Sequence, residues 1–257
     1  MTYSLTWLPG VLRAAGLKVV EESGWQNRGH GDMGTVQGIL CHHTCGPKDG
    51  DIKDIGVLIN GRPDLAGPLC HLGLARSGTF HIVAAGKAWH AGRGFWRGVD
   101  DGNSHLIGIE AENTGETTGP RADPWPDAQM EAYARGCAAI LKHVSAPAEM
   151  CAGHKEYALP KGRKDDPSFA MEMFRGLVRQ HMGAVQPAPA KVATVTIDNL
   201  NFRAEPSISG AIIGVLHAGE KVTPSDVTSV DTNRVKWVQV TTASGKTGWL
   251  ASRFLKL

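Results

Sequence analysis

Apolar runs in the first 182 residues predict several short buried strands. Two of the runs are continuous, and two more flank a polar turn, which is typical of a hairpin. The predicted strands are residues 36–41, residues 106–111 and the hairpin pair 70–75 and 80–83. The strand at 106–111 contains an acid, Glu110, among Leu, Ile, Gly and Ala.

A second pattern, with apolar residues three and four positions apart, predicts helices. Asp127 begins one that runs to about Val144, and a last helix begins at Pro167. Strands that alternate with helices predict an α/β domain in which helices flank a mixed central sheet. We assign residues 1–182 to this domain and treat residues 1–34 as its N-terminal approach.

The chain changes character after residue 182. Residues 183–191 are small and proline-bearing, with no charge before the last of them, which predicts a semi-stiff linker. Residues 192–257 contain short strand patterns separated by Gly, Ser, Asp and Asn, and they predict a small all-β barrel. Its predicted strands are residues 195–203, 212–216, 220–223, 237–240 and 248–250.

Composition and charge exclude several classes of protein. The 257 residues are 42% hydrophobic and 20% charged, with 27 Lys+Arg against 25 Asp+Glu. A balance of +2 with this apolar content argues against disorder, a coiled coil and a strongly basic nucleic-acid binder. From Lys191 onward eight basic residues stand against five acidic ones, a net +3, so the tail is the basic part. A mildly basic face suits an anionic polymer.

The sequence gives no sign of membrane insertion. No apolar run approaches the roughly 18 residues that span a bilayer. The N-terminus lacks a charged region followed by an apolar core, so we expect no secretory signal and synthesis in the cytoplasm.

Five cysteines occur at irregular spacings, and an odd count without a signal argues against a disulfide framework. Cys41 and Cys45 could be metal ligands, but the expected role of both is that of small buried core residues.

Histidines and one aspartate predict a metal site. His42 and His43 end the first predicted strand, and alternation points them to opposite faces, so spacing alone does not say which faces a site. A histidine at a strand end is by itself more often a satisfied core residue. His154 and Asp166 add an imidazole and a hard carboxylate from one loop. With one strand histidine they form a three-ligand set that leaves a position open, the pattern of catalytic zinc.

Two charged side chains are candidates for catalysis. A carboxylate at Glu110 is costly to bury unless it is paired or functional, and a raised pKa would suit a general base. The alternative is a solvent-facing glutamate on an edge strand, and Glu112 shares its face by alternation. Lys164 could stabilise negative charge that develops on a carbonyl oxygen. Its alternative is an ordinary salt bridge within the charged loop 161–166.

Four segments together resemble the zinc-dependent N-acetylmuramoyl-L-alanine amidases of the type-2 class. That class includes phage lysins, bacterial recycling amidases and animal peptidoglycan recognition proteins. The resemblance covers roughly residues 25–182, and the stretch that begins at Trp89 is most similar to lysins of phages that infect actinobacteria. The segments are Ile39-Leu-Cys-His42-His-Thr44, Ile107-Gly-Ile-Glu110, Gly153-His154 and Gly162-Arg-Lys164-Asp-Asp166-Pro167.

The resemblance implies a role for each matched residue. The zinc ligands would be His42, His154 and Asp166, with Glu110 as the catalytic acid/base and Lys164 as the catalytic lysine. The sequence departs from several phage members at one position, where a tyrosine precedes the hairpin histidine and this chain has Cys70 before His71. A thiol is a poorer donor there, so the role falls to Glu110 and Cys70 is expected in the core. Two further histidines, His90 and His71, are candidates for substrate contact, with a structural role as the alternative for each.

The tail resembles a bacterial SH3-like cell-wall module. Trp237 and Trp249 lie in two of the matching segments, and they could stack on glycan or peptide or could instead pack the small core.

The implied function is that of a phage endolysin. It would hydrolyse the amide bond between N-acetylmuramic acid and L-alanine with zinc-activated water and so lyse the cell wall. The alternatives are a non-catalytic peptidoglycan recognition protein and a zinc peptidase of another wall bond. We expect a monomer, bacterial peptidoglycan as the partner and possible release by a holin, with no nucleic acid and no direct membrane insertion.

Overall fold

The computed structural model describes residues 2–183 and 192–256. The chain divides into two compact units, Met1–Val185 and Gln186–Leu257. Residues 184–191 of the predicted linker lie outside the described residues.

The first unit is built on a six-stranded mixed sheet with the strand order β1-β6-β5-β7-β2-β8. Only the β5–β6 pair is antiparallel among these neighbours, as expected for the predicted hairpin. Two further strands, β3 and β4, form a separate hairpin. The strands are β1 (Val19–Glu21), β2 (Gly38–His43), β3 (Gly61–Arg62), β4 (Leu65–Ala66), β5 (Leu72–Leu74), β6 (Phe80–Ile82), β7 (Leu106–Ala111) and β8 (Cys151–Gly153).

Between residues 2 and 183, six helices accompany this sheet. The longest begins after Pro126 and ends with two basic residues in its last turn, which complement the helix dipole. The helices are α1 (Leu8–Ala14), α2 (Ile55–Asn60), α3 (Gly102–His105), α4 (Asp127–His143), α5 (His154–Tyr157) and α6 (Met171–His181). Short 3₁₀ segments lie at Ser4–Trp7, Trp25–Asn27, Ala148–Met150 and, in the second unit, Ser252–Phe254.

The two faces of the central sheet have different coverings. Ile39 and Ile107 point into the main core. The helices α1, α4 and α6 cover this core and contribute residues such as Leu8, Tyr133 and Phe174. Leu40 and Leu106, which alternate with them, belong to a smaller core on the opposite face with Ala91, Val99, Ala152 and Tyr157. Burial of the helix-covered face stabilises the unit, and loops cover the opposite face around the smaller core.

The predicted elements of the first unit are largely confirmed. The strand 106–111 and the helix from Asp127 match the structure, and the strand predicted at 36–41 lies at 38–43. The last helix begins at Met171 and not at Pro167. The reason is that Lys155 binds the carbonyl oxygens of residues 166, 167 and 169, which a helix there would need for its own N–H groups.

The second unit is an all-β fold, a single seven-stranded antiparallel sheet of order β11-β10-β14-β13-β12-β9-β15. The strand predicted at 195–203 is two strands, because the chain turns at Asn199 with φ 56°. The strands are β9 (Ala193–Val195), β10 (Leu200–Arg203), β11 (Ile212–Leu216), β12 (Lys221–Val230), β13 (Lys236–Thr242), β14 (Thr247–Ala251) and β15 (Leu255–Lys256).

Within the described residues, no helix combines the length and the apolar character that crossing a bilayer requires.

Candidate metal centre and active site

Two neighbouring parallel strands carry the first parts of the site. His42 on β2 lies directly opposite Glu110 on β7 in the register of the sheet. Both follow the alternation of Leu40 and Leu106, so they lie on the face opposite the long helices. Cys41, one residue earlier, points into the helix-covered core. The choice between the two strand histidines therefore falls on His42, and the ring of His43 lies 6.4 Å from that of Trp125.

Strand β8 pairs with the other side of β2 and brings a second histidine to the same place. His154 begins α5 directly after β8. Its Nδ1 atom lies 3.1 Å from Nδ1 of His42, and Oδ2 of Asp166 lies 3.0 Å from His42 Nδ1 and 3.2 Å from His154 Nδ1. All three side chains are buried. One donor atom from β2 and two from the segment 154–166 thus form one compact triangle.

The triangle has the chemistry of a zinc site. Burial lowers the pKa of His42 to about 4, although the adjacent carboxylate of Asp166 opposes this, so the ring is neutral at pH 7. Burial alone would raise the pKa of Asp166, but the imidazoles of His154 and His42, whose Nδ1 atoms lie 3.2 and 3.0 Å from its Oδ2 atom, hold it well below its ordinary value. Neutral imidazoles and an ionised carboxylate are zinc ligands. Their separations resemble the edges of a tetrahedron with bonds of about 2.0–2.1 Å, which are roughly 3.3 Å long.

A second group of potential ligands lies in the core. The thiol sulfurs of Cys41, Cys137 and Cys151 are close together, with 3.5 Å between the first and the third, and all three side chains are completely buried. They pack among apolar residues, which confirms the core role expected of Cys41. Cys45 is exposed, so the expectation that it is a buried core residue was wrong. Cys70 is buried as expected, and all five thiols are free.

Glu110 is a half-buried carboxylate beside the triangle. Its Oε1 atom lies 3.9 Å from His42 Nδ1, and its side chain is 17% exposed. Its buried Oε2 atom has no hydrogen-bond partner among the described residues. Burial and the charge of Asp166 raise the pKa of Glu110 to about 8, while Lys164 and Arg62 act in the opposite direction. Because β7 is flanked by β5 and β2, the alternative of a glutamate on an edge strand is excluded.

Glu112, which spacing could not separate from Glu110, has a structural role. It accepts hydrogen bonds from the backbone N–H groups of Ile52 and Lys53, and it is completely buried. Strand β7 ends at Ala111, so alternation no longer describes the direction of the next side chain. Glu112 fixes the loop before α2 and does not reach the site.

Lys164 lies at the mouth of the site. Its side chain is exposed, it lines the cavity beside Glu110, and no ion pair involves it within the described ranges. Lys164 therefore does not form the ordinary salt bridge that was its alternative role. The positive charge of Lys164 opposes the rise in the pKa of Glu110 and contributes to the lowered pKa of His42.

Two adjoining cavities form a groove over the triangle. One, of about 230 Å³, is lined by the three donor residues and Glu110, and the other measures about 310 Å³. Both have walls from Leu65, Trp89, His90, His154 and Lys164. The sequence analysis missed three polar wall residues, Arg62, Asn103 and Arg163, because no local pattern separates them from ordinary turn residues.

The two histidines expected to contact substrate have other partners. His71 is completely buried, and its Nδ1 atom accepts the N–H of Gly108 at 2.9 Å. His71 is not among the residues that line the groove, so the structure favours the structural alternative for it. His90 borders the groove, but its Nδ1 lies 3.2 Å from His42 Nε2 and its Nε2 lies 3.2 Å from the carbonyl oxygen of Leu106. Neither ring nitrogen of His90 is left for a substrate.

The two tryptophans of the second unit differ in exposure. Trp237 is 3% exposed, and its indole N–H donates to Asp231. Trp249 on β14 is only partly buried. A cavity of about 240 Å³ in this unit is lined by Trp237 together with Arg203, Ile208 and Arg253. The buried position of Trp237 favours packing, so a wall-contacting role is more open to Trp249.

Comparison with known protein families gives two matches. Residues 32–169, more than half of the chain, match the family model described as N-acetylmuramoyl-L-alanine amidase. The chain therefore belongs to the N-acetylmuramoyl-L-alanine amidase family. Residues 198–256 match the bacterial SH3 domain. No curated protein matches the chain.

Several solved structures are similar to part of the chain. The amidase AmiD from E. coli, solved with anhydro-N-acetylmuramic acid-L-Ala-D-γ-Glu-L-Lys, is 22% identical over 64% of this chain, with a TM-score of 0.46. This match spans 65% of the length of AmiD, slightly under two thirds. A selenomethionine derivative of AmpD is 25% identical over 69% of this chain and 99% of its own, with a TM-score of 0.47. A mutant endolysin from Bacillus subtilis is 17% identical over 63% and 99%, with a TM-score of 0.47.

Proposed function

We propose that this protein is a zinc-dependent peptidoglycan hydrolase that cleaves the amide bond between N-acetylmuramic acid and L-alanine. The observation that carries the proposal is the triangle of His42, His154 and Asp166, with sides of 3.0–3.2 Å, at the base of a groove that Glu110 also lines. The choice of the bond that is cleaved rests on the family to which the chain belongs.

The proposed metal would be held by the two Nδ1 atoms and by Asp166 Oδ2. When bound, zinc supplies a Lewis acid that polarises a carbonyl and lowers the pKa of a water ligand. Three protein ligands leave a position open for substrate or water, as catalytic zinc requires.

Glu110 is the proposed general base and acid. Its carboxylate would accept a proton from the attacking water as the new C–O bond forms. As the C–N bond breaks, the same proton would pass to the nitrogen of L-alanine, so that Glu110 returns to its starting state. The unpartnered Oε2 atom and the raised pKa support this role, because no structural hydrogen bond has to be broken when the proton arrives. A bound cation nearby would lower that pKa from its metal-free value.

Lys164 is the proposed stabiliser of negative charge on the carbonyl oxygen. Its ammonium group lines the groove without an ion-pair partner in the described part of the chain. It is therefore available when charge develops, and a preorganised cation is most effective at that point. Arg62 and Arg163 add positive charge to the walls, which suits the carboxylates of a stem peptide.

We further propose that the protein acts as a phage endolysin with two domains. The second unit would bind the cell wall, a role supported by its match to a bacterial SH3 domain and by the net charge of +3 from Lys191 onward. Binding to an insoluble polymer raises the effective concentration of the catalytic domain there. Synthesis in the host cytoplasm, release through a holin and a monomeric state complete the proposal.

The test is product analysis on purified full-length protein. Actinobacterial peptidoglycan is digested and the products are identified by mass spectrometry, with the zinc content measured in parallel. Free stem peptides that begin with L-alanine, intact glycan strands and about one zinc per chain are expected. Cleaved cross-links with bound zinc would favour the peptidase alternative. Wall binding without zinc or products would leave the recognition-protein alternative.

A further inference from the structure

The polar partners behind the metal triangle form a second, ordered set. Nε2 of His154 lies 3.0 Å from the carbonyl oxygen of Ala91. A carbonyl oxygen only accepts, so Nε2 of this imidazole carries the hydrogen. In the neutral ring the Nδ1 atom of His154 then keeps its lone pair directed at the triangle, as metal binding requires, and its 3.2 Å contact with Asp166 Oδ2 contains no hydrogen.

His42 is held in the same way, but through the ring of His90. His90 Nε2 lies 3.2 Å from the carbonyl oxygen of Leu106, so this nitrogen is the donor and His90 Nδ1 is an acceptor. His90 Nδ1 lies 3.2 Å from His42 Nε2, which must therefore donate. The chain Leu106–His90–His42 thus leaves the lone pair of His42 Nδ1 facing the triangle.

One side chain holds the segment that supplies both contacts. The Oδ1 atom of Asn103 accepts the backbone N–H of His90 and that of Ala91, each at 2.9 Å. The ring of His90 rests against Gly108, where an added Cβ would lie 2.6 Å from the ring carbon Cγ. The glycine in the predicted strand 106–111 therefore makes room for the ring.

We propose that His90 and Asn103 are positioning residues that favour the Nε2–H tautomer of both histidine ligands over the Nδ1–H tautomer that the contacts with Asp166 Oδ2 would favour. This inference rests on the proposed zinc site. Neither residue contacts the metal position. His90 acts on His42 directly, and Asn103 acts on both ligands through the backbone of residues 90–91. Outer partners of this kind orient metal-bound imidazoles, and their loss weakens metal binding by about 10–100-fold.

The first measurement uses metal-free full-length protein labelled with ¹⁵N-histidine. Long-range ¹H–¹⁵N spectra report which ring nitrogen carries the hydrogen, without zinc or substrate. We expect His42 and His154 as Nε2–H tautomers in the wild type, and a loss of that preference for His42 in His90→Phe. Nδ1–H tautomers in the wild type, or an unchanged His42 in the variant, would overturn the proposal.

The second measurement is zinc affinity by competition with a chromophoric chelator. Asn103→Ala and His90→Phe should bind zinc about 10–100-fold more weakly. Asn103→Asp keeps an oxygen that can accept both N–H groups and should retain near-wild-type affinity. Gly108→Ala should weaken binding by displacing the ring of His90 without removing a polar atom. His81→Phe, which removes an imidazole bound to Glu22 away from the groove, is the matched control.

The outcomes separate this inference from the proposed function. Equal zinc affinity in Asn103→Ala and Asn103→Asp, with both variants folded by thermal melting, would show that Asn103 does not act through its acceptor atom. A wild type that has the expected tautomers and binds zinc, but releases no L-alanine peptides, would support the positioning role and overturn the proposed reaction.

Discussion

Nδ1 of His42 lies 3.0 Å from Oδ2 of Asp166, although 124 residues separate them in the chain. The contact depends on β2 being a central strand and on the loop after α5 returning to its end. The neighbouring imidazoles of His42 and His154 hold the pKa of Asp166 well below its ordinary value despite burial. The pair is therefore a neutral ring against a carboxylate at neutral pH, and a cation is the natural third member.

Removal of that carboxylate charge should weaken metal binding. Asp166→Asn keeps the shape of the side chain but loses the charge, so zinc affinity should fall by at least about 100-fold, as for other disrupted metal sites. In the wild type, free zinc at 1,000 times its Kd should stabilise the fold by about 4 kcal/mol, and a chelator should remove this gain. Thermal melting with and without zinc measures both effects. Asp165→Asn, its exposed neighbour, is the control, and an equal loss there would contradict the assignment.

Glu110→Gln should abolish turnover while zinc remains bound. An amide cannot take up the proton of the attacking water, and loss of a general base costs about 10²–10⁴ in rate. The measurement is release of L-alanine peptides together with metal content. Glu116→Gln, an exposed glutamate outside the groove, should keep full activity. Activity within tenfold of wild type in Glu110→Gln would assign the base elsewhere.

The same substitution should stabilise the metal-free protein in a pH-dependent way. The pKa of Glu110 is raised from 4.5 to about 8, so between these values the unfolded chain binds fewer protons than the folded one. Stability therefore falls as pH rises through this window in the wild type. Glu110→Gln lacks that loss, and its advantage should grow from pH 4 to pH 8 to a few kcal/mol, at about 1.4 kcal/mol per unit. Urea unfolding across this range is the test, and a constant difference would show that Glu110 is not held protonated.

Lys164→Met should lower kcat by about 10²–10³ with little change in zinc affinity or melting temperature, because the ammonium acts only where charge develops. Steady-state kinetics on a soluble muramyl peptide would measure this. Lys161→Met removes a cation from the same loop, where its ammonium binds the carbonyl oxygen of Glu156. Equal losses in both variants would indicate a general effect of loop charge.

The two tryptophans of the second unit should behave differently. Trp237→Ala removes a buried side chain and should destabilise that unit by about 3–5 kcal/mol. Trp249→Ala should leave the melting temperature nearly unchanged and reduce sedimentation with purified cell walls several-fold. Unchanged sedimentation of Trp249→Ala would move the wall contact to another residue.

Local pattern was sufficient for the elements with a clear period. The strand that carries Glu110, the hairpin and α4 were predicted because alternation and the helical period are properties of consecutive residues. The N-terminal helix α1 was missed, although Leu5, Leu8 and Leu12 follow a helical spacing and are buried. Strand β1 has three residues and no buried member, so it left no pattern to detect.

The sequence by itself determined which residue types could form the site: histidines at the end of a strand, an acid inside one, and an aspartate and a lysine in a later loop. Only the tertiary structure decided among them. Pairing of β2 with β7 and β8 placed His42, Glu110 and His154 together, and the end of β7 separated Glu110 from Glu112. His90 changed from a candidate substrate contact to a partner of His42. Periodicity fixes the direction of a side chain relative to its own element, whereas the neighbours of that element follow from long-range packing.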